Sequence, residues 1–171
     1  LPHVGDLEAE AAINALTLLI DCRYYTGDKK RSCLVSIFED KLFELLSSMP
    51  PIGLGRAYCL INWETRNLLR PPESPHQVLV IDAYDFAPEG DDGICGLVDD
   101  ACTMGWKRII AYNFRGQRNF GAGLIARDKV RIDVYGRVGD CLAAFADGPE
   151  FYVHGSVQDS VAYCFRSGKI V

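Results

Sequence analysis

The stretch Ile132-Asp-Val-Tyr-Gly136-Arg-Val-Gly-Asp140-Cys-Leu-Ala143 aligns without a gap on Phe151-Tyr-Val-His-Gly155-Ser-Val-Gln-Asp159-Ser-Val-Ala162. Apolar residues match at Ile132/Phe151, Val134/Val153, Val138/Val157 and Leu142/Val161, and Gly136/Gly155, Asp140/Asp159 and Ala143/Ala162 match by identity. Gly116, Gly136 and Gly155 carry the period, spaced by 20 and then 19 residues. Self-similarity at such a period is the sequence mark of a solenoid. The reading is therefore a right-handed parallel β-helix, with coils of about 19–20 residues whose inward side chains stack on one another. Ile132, Val134, Val138, Phe151, Val153 and Val157 form its expected inward face. Ile170 opens a further copy, so the solenoid is expected to be incomplete at its C-terminal end.

Working outward, Gly90-Asp-Asp-Gly93 breaks the chain, residues 94–104 read as a helix closed by Gly105, and Lys107-Arg-Ile-Ile-Ala-Tyr-Asn113 reads as a strand. Upstream, His76-Gln-Val-Leu-Val-Ile-Asp82 is a β-rich run. Arg70-Pro-Pro-Glu-Ser-Pro75 excludes regular structure and marks the domain boundary. Before it, Asp6 is the expected N-cap of a helix over residues 7–20, and a second helix is expected over residues 37–46, ended by Pro50-Pro51. Gly53 and Gly55 lead into residues 57–63, where periodicity does not separate strand from short helix. The organisation expected is an α+β or helical N-terminal domain over residues 1–70, a linker at 71–77 and the β-helix over 78–171.

The 171 residues carry a net charge of −5, which argues against a nucleic-acid footprint. No apolar run approaches the length of a membrane span. The seven cysteines contain no C-x-x-C pair, which fits a reducing, cytoplasmic setting better than a disulfide framework or a zinc ribbon. His3, His76 and His154 are scattered. His154 falls where Tyr135 sits one repeat earlier, which reads as an edge residue rather than a metal ligand. Asp140 and Asp159 repeat together. They are either a carboxylate dyad or turn residues accepting backbone N–H groups, and turn chemistry favours the second. Arg115, Gln117, Arg118 and Asn119 form the densest polar group beside a glycine corner. Their guanidinium groups suit either a carboxylate or phosphate ligand or the capping of an open solenoid end. Gly116, Gly121, Gly123, Gly136 and Gly155 read as structural corners, since Gly121-Ala-Gly123 lacks the setting of a phosphate loop.

The ordered set Val80-Ile-Asp-Ala83, a short helix, Gly105-x-x-Arg108-Ile-Ile, Asn113-Phe-x-Gly116-Gln-Arg118-x-x-Gly121-x-Gly123-Leu124 and then the repeats resembles the GXGXG domain. That domain is the C-terminal β-helix of the glutamate synthase large subunit. Its relatives are stand-alone glutamate synthase domain 3 proteins and one of the subunits of formylmethanofuran dehydrogenase. The resemblance covers residues 78–171. It implies a non-catalytic, subunit-organising role in an amidotransferase or oxidoreductase assembly of nitrogen metabolism. Partners would be amidotransferase or flavin-containing synthase subunits, or further copies of the chain. No cofactor is expected in the chain itself: the first cysteine is Cys22, so the N-terminal cysteine of the amidotransferase is missing, and no cysteines show iron–sulfur ligand spacing. Two other readings stand beside it. One is a protein like the related subunit of formylmethanofuran dehydrogenase. The other is a transferase whose pocket, lined by Tyr24, Tyr25, Arg56, Trp63 and Arg66, lies between the N-terminal part and the first coil.

Overall fold

An alanine- and leucine-rich segment forms α1 (Val4–Asp21), as good helix formers without an internal breaker should. The computed structural model describes residues 4–23, 25–53 and 56–171. The readings made for His3, Tyr24 and Gly55 lie outside the described residues. Asp6 lies within α1 rather than before it. Helix α2 (Arg31–Ser47) starts earlier than its apolar periodicity suggests and stops ahead of Pro50-Pro51. Arg31 opens this helix. Its guanidinium donates to the Ile20 and Cys22 carbonyls at 2.8 and 3.1 Å, capping the end of α1.

Seven strands follow: β1 (Tyr58–Ile61), β2 (Val78–Asp82), β3 (Arg108–Arg115), β4 (Arg131–Val138), β5 (Asp147–Val153), β6 (Ser156–Val157) and β7 (Ser167–Ile170). Residues 57–63 thus contain a strand. Helix α3 (Ile94–Thr103) joins β2 to β3. It closes as expected at Gly105, with the paired bonds Trp106 N–H to Ala101 O and Gly105 N–H to Cys102 O, both 3.0 Å.

The expected right-handed β-helix is not formed. Among the described residues all seven strands belong to one parallel sheet of order β1-β2-β3-β4-β5-β7, with β6 beside β4, and with three α-helices the arrangement is of α/β type. The 19-residue offset does appear as strand register: Ile132 pairs with Phe151, Val134 with Val153 and Val138 with Val157. A period of this size fixes which residues are neighbours on adjacent parallel strands. It does not fix how many sheets those strands make, and here the N-terminal part supplies both a strand and a helical layer to the same sheet. The 71–77 segment lies between β1 and β2, which are hydrogen-bonded neighbours.

The sheet is covered on both faces, so its strands are apolar on both. On one face Leu79, Ile81, Ile109, Ala111, Ile132, Val134 and Phe151 pack under α3 and the loops that follow β3 and β4. On the other, Val78, Val80, Ile110, Tyr112 and Tyr135 pack under α1 and α2 through Ile13, Ile20, Leu42 and Leu46. Among the described residues no helix is long and apolar enough to cross a membrane.

The loops after β3, β4 and β6 lie one on another. Asn119 N–H donates to Asp140 O, Ala143 N–H to Phe120 O and Ala162 N–H to Leu142 O. Every second residue in them has left-handed backbone: Asn119, Gly121, Gly123; Cys141, Ala143, Phe145; Ser160, Ala162, Cys164. Only the first loop has glycine at two of the three positions, and each other residue there carries a steric cost.

Candidate functional site

A cleft of about 980 Å³ opens on the helical face of the sheet, where the α1–α2 hairpin stops short of the C-terminal ends of β3, β4 and β5. Ligands of open α/β sheets bind outside the carboxyl ends of the strands. The strand order here never reverses, so the crevice arises from incomplete helical cover and not from a switch in topology.

Its floor is built from strand ends. At Gly136 (φ 105) the backbone is left-handed, and a Cβ would lie 2.8 Å from the Phe114 amide nitrogen. A Cβ at Gly155 would overlap the Gly136 carbonyl oxygen. These two glycines therefore answer to close strand packing. Gly116 lines the same cleft, while Gly121 and Gly123 lie in the stacked loop after β3.

One wall is an ionic cluster centred on His154. Its Nδ1 lies 2.8 Å from Asp21 Oδ2 at the end of α1, and its Nε2 lies 3.0 Å from Asp133 Oδ1 on β4. Asp133 also accepts two bonds from Arg131, at 2.7 and 2.8 Å, and is 4% exposed. The imidazole stacks on the Tyr135 ring at 4.5 Å, and the Tyr135 hydroxyl meets Thr17 Oγ1 at 2.7 Å. Burial works against the charged imidazole, but the bond to Asp133 and the charge of Asp21 outweigh it, so the His154 pKa is raised. Burial likewise pushes Asp133 up, and the bonds from Arg131 and His154 more than reverse that, leaving it lowered. With a carboxylate on each ring nitrogen, His154 has no free site for base catalysis. It is a clamp from helix to sheet. The sequence reading of His154 as an edge residue missed this, because the Asp21 partner is 133 residues away.

The second wall is α2, which contributes Ser36, Glu39, Asp40 and Phe43. Burial, and then the charge of Asp40, raise the Glu39 pKa, while Arg137 lowers it.

The four polar residues singled out from the sequence do not converge. Gln117 is 3% exposed and structural: its Oε1 accepts from the Arg115 N–H at 2.6 Å, and its Nε2 donates to the Ala83 and Phe86 carbonyls at 2.8 and 3.3 Å. Arg118 faces Glu89 and Asp140, each at 3.5 Å. Asn119 supplies a left-handed position in the loop. Of the four, Arg115 alone lines the cleft; its guanidinium lies 3.6 Å from the centroid of the Tyr84 ring, at the cleft's edge and outside its lining. Its partner on the floor is Arg137, a residue the sequence reading passed over.

Asp140 accepts the Asp159 N–H at 3.1 Å, which is the turn role and not a dyad. Of the transferase pocket, Arg66 lies 3.4 Å from the Trp63 ring centroid and donates to the Trp63 carbonyl, so this pair is occupied with itself. Burial pushes the Cys102 thiol up to about 12 and raises that of Cys95, so neither is an activated nucleophile. Among the described residues no group of histidine, cysteine, aspartate and glutamate side chains has the arrangement to hold a metal ion. No family model, curated protein or solved structure matches the chain.

Proposed function

We propose that the chain is a non-catalytic organising module that binds protein subunits. The observation that carries this is an exposed aromatic pair, one member of which sits on strained backbone. Phe145 and Tyr163 project from consecutive stacked loops, 52% and 59% exposed, with ring centroids 5.5 Å apart. Phe145 sits at φ 60, a conformation costly for a bulky side chain. Neither strain nor exposure of a large ring improves the fold, whereas both suit a surface shaped for a partner. Ile125, 65% exposed, lies on the preceding loop.

The finer reading is a subunit of a glutamate synthase-type amidotransferase or oxidoreductase assembly in the cytoplasm, without a cofactor of its own. It rests on the Asn113-to-Leu124 sequence block, and the free cysteines are compatible with a reducing compartment. The test is recovery of the tagged chain from its source cells beside Phe145→Gly, which removes the ring and relieves the backbone. The expected result is one protein, or a second copy of the chain, in stoichiometric amount with the wild type and lost from a variant that melts no earlier. Glutaminase or flavin in that partner supports the finer reading. A wild-type chain recovered alone, or a partner retained by Phe145→Gly, contradicts the proposal.

A further inference from the structure

The strand alternation of β3 contains one fault, and it changes what lines the cleft. Ile109 and Ala111 face the apolar core, and simple alternation would send Arg115 the same way. Instead β3 carries an extra residue against β4: Ala111 pairs with Val134, but Phe114 pairs with Gly136. Asn113 takes up the surplus at φ 63. Its amide donates to Asp82 Oδ1 at 3.1 Å, and the Tyr112 hydroxyl donates to Asp82 Oδ2 at 3.2 Å, so the bulge is pinned. Phe114 is thereby returned to the core, and Arg115 is turned into the cleft in register with Arg137. Bulges of this kind re-aim side chains beside functional sites.

The result is two guanidinium groups on adjacent strands, whose backbones run about 4.8 Å apart. Both arginines are exposed to the cleft, and among the described residues neither makes a side-chain hydrogen bond or ion pair. The Arg115 guanidinium rests on the face of Tyr84 at the cleft's edge, from where a side-chain rotation brings it over the floor beside Arg137. The floor beside them includes backbone at Gly116 and Gly136, and a Cβ at Gly116 would meet nothing within 4 Å. The start of α2 borders the same space with no acidic residue in its first turn.

We propose that this cleft binds a small phosphate-bearing ligand, with Arg115 and Arg137 sharing the phosphate oxygens. Two adjacent cations match a dianion, whereas one arginine suffices for a carboxylate. Glu39 and Asp40, on the opposite wall, offer acceptors to hydroxyl or amino groups on the rest of such a ligand. This site is separate from the Phe145 surface, and either can fail without the other.

Calorimetric titration of the whole chain with inorganic phosphate at low salt tests it, with succinate as a parallel probe. The wild type should bind phosphate and bind succinate more weakly. Arg115→Ala and Arg137→Ala should each weaken phosphate binding by at least about tenfold. Arg166→Ala, which removes an exposed arginine elsewhere, should leave it unchanged. Arg137→Gln keeps the stem of the side chain and should repeat the loss if the alanine variant is unstable. The proposal is overturned if the wild type shows no heat up to about 20 mM phosphate. It is equally overturned if succinate binds and phosphate does not, or if Arg166→Ala loses as much affinity as the cleft variants.

Discussion

Strand β4 presents two unlike faces. Ile132, Val134 and Val138 point into a dry core, each at most 1% exposed, where any side chain of the right size and polarity would serve. Asp133, Tyr135 and Arg137 alternate with them toward the helices. Asp133 and Tyr135 are buried but fully partnered, tied through His154 and Thr17 to α1. Arg137 lies just beyond the hairpin's cover and, among the described residues, makes no side-chain hydrogen bond or ion pair, though its charge acts on Glu39. The contrast separates two kinds of polar residue on one strand. Those that are satisfied hold layers together, and those left unsatisfied at the strand end are available to something else.

The largest expected effect comes from erasing the difference. Val134→Asp places a carboxylate on the dry face with no partner, and it should unfold the protein or cost several kcal/mol. A cooperative melt near that of the wild type would show that the face is not sealed.

A smaller loss should follow on the polar face. Asp133→Ala leaves the His154 imidazole facing an empty place and frees Arg131, and should cost about 3 kcal/mol in denaturant unfolding. The same cluster gives stability a pH signature. The His154 pKa is raised from 6.5, so its contribution is fully present below that value and is lost as pH climbs through the raised one. The Asp133 pKa is lowered from 3.8, so its contribution is present above that value and is lost as pH falls through the lowered one. The clamp is whole between these limits. Melting temperature should therefore fall as pH rises above 6.5 in the wild type and stay flatter in His154→Asn. Equal slopes would remove His154 from the account.

The smallest effect sharpens the apolar side. The loops that cap it hold Ser160 at φ 57 in an exposed position. Ser160→Gly relieves the backbone with no packing to lose and should stabilise by roughly 1 kcal/mol. Destabilisation would mean that the left-handed loops are not strained.

The core was the legible part of this sequence. Alternation and the 19-residue offset placed Ile132, Val134 and Phe151 as neighbours, and Gly105 marked the end of α3, because such signals are local or periodic. The fold class was not legible, since the same offset serves stacked coils and one continuous sheet, and the two helices expected in residues 1–70 carried no sign that they would cover it. The candidate site was largely hidden. Arg115 was found for its charge but credited to a cluster that does not exist, because the bulge at Asn113 reverses the parity of the strand after it. Arg137 resembled any outward strand residue. His154 gave no sign of Asp21, since a contact across 133 residues leaves no local pattern.

The central claim of the cleft reading is that the helical face of the strand ends holds the ligand site, while the apolar core under the other face is structural. Amide chemical shifts followed by NMR during addition of inorganic phosphate address it directly. The account predicts movement concentrated at Gly116, Gly136, Arg137 and Gly155, with Phe120, Leu142 and Phe151 still. No movement, or movement centred on the apolar face and its loops, would contradict it.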